Sequence, residues 1–564
     1  MNFKDLFNNF FSYTQKNNYQ FSLSENSKTE QTPNIVQDKT QAKVNIFPNL
    51  NVNIEHIRTK YNVLINSDII LREFTINARG KQYNAFLVYI DGMVDSKNMN
   101  DFVLTPLMLR NQNNLYDGTQ NKVISESVAN NITIRKVKKF DLSNYLMGCL
   151  MPQNSVKEIS DFDEVSKGVN SGNCVLFIDT LDKAFDIELK GFKQRSIDVP
   201  NNEIVIKGPH EAFVENIRTN TSLIRRIVNN ENLIIENVEV GKITKTKCAV
   251  CYIQDITNSD LVNEVKYRLN NLDVDSLLSA GELEQLIADS NFLGIPQVLS
   301  TERPDKVCKY LLKGRVIVIV NGTPYGIIMP SILVDFLTSP EDTNLRPNFA
   351  NFLRGLRLLA AFITLLLPGL YVAITSFHQE ILPTGLLYSI LSSRENVPFP
   401  IIVEILLMEI SFELIREAGL RVPSPIGPTI GIVGALVLGQ AAVSAGIVSP
   451  ILIIIVAITG IASFSIPDFS FGFHLRYFRF GFILLGFIAG FLGISLGLFV
   501  YISILCSLTS FGVPFMSPFA PASNSKGNGY MLPPIWKREF RPPFMATKKQ
   551  EDQDKISMKW KYKN

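Results

Sequence analysis

The sequence predicts an α+β (mixed α/β) N-terminal domain of two subdomains, followed by an all-α polytopic membrane domain. Three observations carry this. Between about residues 51 and 345, short alternating or apolar runs recur between turn residues, as in YNAFLVYIDGMVD at 83–95 and RVIVIVNGTPYGIIM at 315–329. After residue 346 the runs become long and almost free of charge. The first residues, MNFKDLFNNFFSYTQKNNYQ, are too polar for a signal peptide, so the N-terminal domain is expected in the cytoplasm.

Residues 1–50 are rich in Asn, Gln, Ser and Lys and are read as a flexible tail. Phe3, Leu6, Phe7, Phe10 and Phe11 form one short amphipathic element in it, suited to a membrane surface or a partner. The first subdomain is placed at 51–194. Strands are expected at 83–95, with a turn at Asp91-Gly92, and at 174–180 and 184–192. Asp179 ends an apolar strand, and turn chemistry is its expected role.

The second subdomain is placed at 195–345. EIVIKGPHEAFVENIRTNTSLIRRIV, residues 203–228, reads as a strand, a Gly208-Pro209 turn and a helix with Phe213, Ile217, Ile224 and Val228 on its buried stripe. Arg218, Arg225 and Arg226 fall off that stripe. They are assigned to soluble-domain coupling, on a docking face or a solvated one. There is no phosphate-loop or dinucleotide-binding motif. Cys248 and Cys251 form a CxxC inside a strand pattern, which points the two thiols to opposite faces and argues against metal or redox use. Thr301 is the expected cap of a helix with Pro304 in its first turn and Gly314 at its end. Asn321-Gly322 then signals a hairpin, placed to report soluble-domain movement to the first span.

The membrane domain is placed at 346–521, with spans at about 356–377, 426–447, 448–466 and 480–509. Arg346, Arg354 and Arg357 flank the first span on its entry side. The stretch 398–418 is an apolar helix opened by Pro398 and Pro400, and it carries Glu404, Glu409, Glu413 and Glu417. Each buried acid costs about 2.5–3.5 kcal/mol at a bilayer centre, whereas each Leu or Ile returns roughly 0.3–0.6 kcal/mol. Three or four acids outweigh that gain, so this helix is expected to be re-entrant, interfacial or buried rather than a lone lipid-facing span. Its acids either pair locally, Glu413 with Arg416 and Glu417 with Arg421, or serve function. Small residues at Gly427, Gly431, Ala435 and Gly439, and at Gly486, Gly490, Gly493 and Gly497, allow helix backbones to approach closely. Gln440 is a polar residue among them, placed for packing or for a pore face. The tail at 522–564 is basic, so an even number of crossings is expected, and four are counted.

The run from Pro398 to Pro450, together with IASFSIPDFS at 461–470 and TSFGVPFMSPFAP at 509–521, resembles the GerA family, and more narrowly the A subunit of spore germinant receptors. The likeness extends back through GPHEAFVENIRTNTSLIRRIV at 208–228 and TERPDKVCKYLLKGRVIVIVNGTPYGIIMPS at 301–331. It implies a multi-pass subunit of the spore inner membrane that works with a transporter-like B subunit and a lipoprotein C subunit. It also implies a ring of A subunits that releases ions when nutrient binds.

Net charge of +3 gives no nucleic-acid footprint, and six scattered cysteines give no disulfide framework. No catalytic or cofactor constellation is visible, so an enzyme is not expected. The reading that follows is a nutrient-gated cation-release channel, with Glu404, Glu409 and Glu413 lining or gating the path beside Gln440. A transporter-like permease subunit and a non-conducting signalling scaffold are the alternatives.

Overall fold

The computed structural model describes residues 21–23, 44–78, 81–108, 142–147, 151–153, 155–191, 200, 202–290, 294–421, 439–522 and 529–553. The expected amphipathic element at Phe3–Phe11 and the small residues Gly427, Gly431 and Ala435 lie outside them.

The first subdomain holds a five-stranded antiparallel sheet, built from β1 (Ile69–Ala78), β2 (Lys81–Ile90), β3 (Val156–Ile159), β4 (Cys174–Ile178) and β5 (Ala184–Ile187) in the order β1-β2-β4-β5-β3. Helices α1 (Leu50–Lys60) and α2 (Phe162–Asn170) cover one face, around Phe86, Phe162 and Phe177. The second subdomain repeats the arrangement. Its strands are β6 (Leu233–Val240), β7 (Thr246–Ile253), β8 (Leu299–Thr301), β9 (Val316–Val320) and β10 (Gly326–Met329), in the order β6-β7-β9-β10-β8, also antiparallel. Helices α3 (Ile217–Ile227) and α6 (Pro304–Leu312) cover one face, and α4 (Ser259–Asn270) and α5 (Ala280–Ile287) the other.

The duplication extends to individual bonds. Asn49 caps α1 and Asn216 caps α3. Four residues on, Asn53 and Asn220 each grip the backbone of a residue before the helix, Phe47 and Val214, through both ends of the amide. Asp179 Oδ1 accepts from the first helical N–H of α1, and Asn321 Oδ1 does the same for α3. The next residues, Thr180 and Gly322, both lie at positive φ and donate their N–H to Pro48 O and Glu215 O. Asp179 and Asn321-Gly322, which the sequence singles out separately, are thus the same device: a turn that caps the helix preceding its sheet.

Several expectations are corrected. Residues 203–207 are irregular rather than a strand; Ile204 and Ile206 are exposed and only Val205 of the run turns inward. Phe213 is buried but precedes α3, which starts after Asn216. The cap of α6 is Arg303, while Thr301 ends β8. The β9–β10 connection spans Asn321–Tyr325, longer than a two-residue turn. Its tip bonds to the start of α3, at the opposite end of the hairpin from Met329, where the chain leaves toward the helical region. Cys248 and Cys251 do face opposite sides of β7, each in a different core layer.

Arg225 is not solvated. It is 2% exposed and pairs bidentately with Asp68 of the first subdomain, Nε to Oδ2 and Nη2 to Oδ1, both 2.8 Å. Nη2 also donates to Asn66 Oδ1 at 3.0 Å. Arg218 reaches Asp91 of the same subdomain at 3.3 Å, whereas Arg226 stays within its own unit, on Glu211. The arginines expected on a docking or solvated face therefore largely join the two N-terminal subdomains of one chain.

Arg225→Ala leaves Asp68 buried without its partner, which costs about 3–5 kcal/mol for pairs of this kind. A clear drop in the melting temperature of the detergent-solubilised chain is the expected outcome. Arg226→Ala, at a half-exposed pair, should leave it within error.

Candidate functional site

The C-terminal half is a helical bundle. It contains α7 (Pro347–Phe377), α8 (Thr384–Arg394), α9 (Ile401–Arg421), α10 (Gly439–Ser444), α11 (Pro450–Phe464) and α12 (Phe469–Ser507). Among the described residues, α7 and α12 are long and apolar enough to cross a membrane.

α12 is not the single rod that 480–509 suggested. Ala489 and Gly490 leave helical geometry, with Gly490 at φ +56° and ψ −136°. The chain then doubles back: Gly493 sits against Leu485, Gly497 against Leu485 and Phe482, and Tyr501 meets His474 at 3.1 Å. Residues 469–489 and 490–507 form the two limbs of an antiparallel hairpin. Positive φ at the reversal suits glycine.

The glycines set the packing. A Cβ on Gly486 would lie 2.5 Å from Gly369 O, and one on Gly369 would lie 2.7 Å from Phe482 O. Gly369 of α7 is a partner that sequence spacing alone does not reveal. Farther along, Gly490 packs on His378 and Phe377 at the end of α7, so α7 and the first limb run parallel. Gly439 is buried but makes only ordinary contact with Ile453. Gln440 is exposed on α10.

The acids of α9 meet arginines at both ends of the bundle. Glu404 is 1% exposed; it accepts from Arg394 Nε at 3.1 Å and Nη2 at 2.9 Å, and from Ser449 N–H at 3.3 Å. This ties α8, α9 and the start of α11 together. Deeper along α9, Glu409 and Arg479 are both fully buried and pair at 2.8 Å. Glu413 accepts from Arg479 Nη2 at 3.0 Å, and lies 3.5 Å from Arg476 and 3.3 Å from Arg416. Glu417 pairs locally with Arg421 on the exposed end. The expected open cation path along Glu404, Glu409 and Glu413 is therefore occupied by the chain's own guanidinium groups. In the deeper cluster two acids face three arginines, which is not a surface that favours cations.

That cluster is paired but incompletely hydrogen-bonded. Both Glu409 oxygens lack a well-formed hydrogen bond, as do Arg479 Nε and Nη1 and Arg476 Nε and Nη2. Charge attraction holds it, with little of the directional bonding that would lock it.

A second cluster joins the bundle to the N-terminal domain. Asp342 is fully buried and takes Arg354 Nε at 3.0 Å and Arg357 Nη1 at 2.8 Å, so these entry-side arginines are matched to a carboxylate. Arg354 Nη1 also donates to Tyr530 O at 2.7 Å, bringing the C-terminal segment onto the base of α7. Phe336 stacks near Phe471 and Phe515, and one apolar cluster runs unbroken from β9 and α6 into α7 and α12. Among the described residues, no group of three His, Cys, Asp or Glu side chains is placed to hold a metal ion.

The family model of the Bacillus/Clostridium GerA spore germination protein matches residues 55–544. The chain belongs to the GerA family. It is 41% identical over 507 residues to spore germination protein KA of Bacillus subtilis (strain 168), covering 90% of this chain and 88% of that one. It is 35% identical over 498 residues to the uncharacterized membrane protein YfkQ of the same organism, covering 88% and 91%. The crystal structure of the N-terminal domain of the A subunit of the Bacillus megaterium spore germinant receptor GerK3 aligns at 30% identity and a TM-score of 0.36, covering 52% of this chain and 99% of that one. The GerA match spans both clusters described above, the junction with the N-terminal domain and the buried acids.

Gly486→Val forces a side chain into the carbonyl of Gly369, an overpacking that costs about 1–3 kcal/mol or more. Loss of the monodisperse peak in detergent chromatography is expected. Gly481→Ala, where a Cβ meets open space, should retain it.

Proposed function

We propose that this chain is the A-type membrane subunit of a spore germinant receptor, converting nutrient sensing into germination from the inner membrane of the spore. It works there with a transporter-like B subunit, a lipoprotein C subunit and further copies of itself. The GerA match over most of the chain supports the germination role, and the apolar exterior of the bundle supports the membrane. Ile488, Leu492 and Phe499 are each more than 60% exposed, as are Ile461 and Phe464 of α11.

Six crossings are proposed in place of the four counted from sequence. α7, α9, α11 and the two limbs of α12 run along the bundle axis. Glu413 sits beside Arg476 near the N-terminal domain whereas Gly446 sits beside Asn396 at the remote end, so α9 ends and the approach to α11 begins at opposite ends of the bundle. The limbs are roughly 31 and 27 Å long at 1.5 Å per residue, close to the ~30 Å hydrocarbon thickness. An even count puts the soluble domain and the C-terminal segment on one side, and the two are in contact: Arg541 Nε donates to Leu312 O at 2.8 Å.

The buried Glu409–Arg479 pair carries the mechanistic reading. Acids already matched to arginines do not form a selectivity ring. They form a latch between α9 and the first limb, and a shift of the limb trades one carboxylate for the other on the same guanidinium. Nutrient binding elsewhere in the receptor would reach this latch through the continuous core under α6 and Phe336. Cation release then follows opening of the latch in an oligomer. The near-complete pairing also favours a second reading, a non-conducting scaffold whose acids only pack.

Glu409→Gln weakens the latch without changing side-chain size. Spores carrying it should release monovalent cations at lower nutrient levels or without nutrient, with normal protein abundance. Unchanged release at normal abundance leaves the scaffold reading.

A further inference from the structure

We propose that the basic cavity at the junction of α6, the base of α7 and the C-terminal segment is a binding site for a phosphate-bearing anion, either a lipid headgroup or a free phosphate.

The cavity holds about 510 Å³, a size suited to a small ligand. Its carboxylates are already committed. Asp335 pairs with Arg315 at 2.7 Å, Asp305 with Arg303 at 2.9 Å and Asp552 with Arg541 at 3.2 Å. Two of its cations are committed as well: Lys306 to Glu203 at 2.6 Å, and Arg354 to Asp342. Lys309, Lys313 and Arg538 remain. Among the described residues no carboxylate lies within salt-bridge distance of them.

These cations are arranged around one ring. The centroid of Tyr310 lies 6.0 Å from Lys309 Nζ, 5.9 Å from Lys313 Nζ and 4.4 Å from the Arg315 guanidinium carbon, while its hydroxyl donates to Asp335 at 3.1 Å. Arg315 is 2% exposed, and its Nε makes no hydrogen bond. The C-terminal end of α6 favours cations, but its dipole supplies only about half a charge. Lys309 is held well below the ordinary lysine range by burial, then by Lys313, Arg354, Arg538 and Lys306, all of them cations. Lys313 is pulled down to about 8 by burial and then by Arg315, with Asp335 opposing. An enclosed excess of positive charge is repulsive until an anion enters. A phosphate group, with several acceptor oxygens, matches lysine and arginine donors converging from separate elements.

The pH dependence follows in sign. A lysine with a lowered folded pKa destabilises the fold while it is protonated there. Stability therefore rises with pH between about 8 and the ordinary lysine value, because the unfolded chain binds more protons. Anion affinity runs the other way and falls as pH rises through about 8.

The test uses the full chain in nanodiscs. Radiolabelled inorganic phosphate is titrated at pH 7 in phosphatidylcholine discs, and melting temperature is compared between those discs and discs containing phosphatidylglycerol. Saturable phosphate binding that weakens at least tenfold in Lys309→Gln/Lys313→Gln, and again in the wild type at pH 9, supports a free anion. Stabilisation by phosphatidylglycerol that the double variant loses supports a headgroup. The unliganded variant should melt no lower than wild type, since it sheds two unmatched cations. Lys242→Gln, at an exposed pair remote from the cavity, serves as control. The proposal is overturned if the double variant matches wild type with both probes. It is also overturned if wild type shows neither saturable phosphate binding nor a phosphatidylglycerol effect.

Discussion

Charges in an apolar bundle are tolerable only when they face one another, and in this chain that constraint determines which helices touch. α9 carries acids that an exposed apolar helix could not. Arg476 and Arg479 lie on a limb made mostly of Phe, Leu, Ile and Gly. Bringing the two together removes both penalties, fixes the depth of α9 against the first limb and leaves α11 to close the side at Ser449 and Gly460. Without the arginines the hairpin would have no reason to lie against this helix. Without the acids its first limb would bury two unpaired guanidinium groups.

The same logic operates in the N-terminal half, at a different scale. Two copies of one five-stranded architecture are joined by Arg225 and Asp68, and the second copy alone shares its core with the bundle. The cap of α3 by Asn321 and the cap of α1 by Asp179 are one solution used twice. α3 and the sheet it covers meet the first subdomain at Arg225 and share one core with Phe336 and the bundle, and Asp342 pairs with the base of α7. The C-terminal segment packs on both α6 and α7.

What the sequence disclosed follows from the range of the interactions. The acidic stripe, the β9–β10 hairpin and the opposed cysteines of β7 all depend on local spacing, and all were legible. The arginine partners were not: Arg479 lies 66 residues from Glu413, and Arg225 lies 157 from Asp68, so nothing local ties them. The hairpin in α12 was hidden because Gly486, Gly490, Gly493 and Gly497 keep helical spacing straight through the reversal, and only the positive φ of Gly490 betrays it. The duplication was hidden because its matching residues, the paired asparagines of α1 and α3, are few and lie among unlike neighbours. EIVIKG at 203–208 failed for the opposite reason, since it has strand composition but no neighbouring strand to pair with.

The account rests on Glu409 and Arg479 acting as one unit. A double-mutant cycle in purified protein tests this most directly, comparing the stability of Glu409→Gln, Arg479→Gln and the double variant. Coupled pairs deviate from additivity by about 0.5–3 kcal/mol. The account predicts that each single change lowers stability measurably and that the double variant loses much less than the sum of the two. Additive losses would contradict it, because the two residues would then be stabilised by different partners and no latch would join α9 to the hairpin.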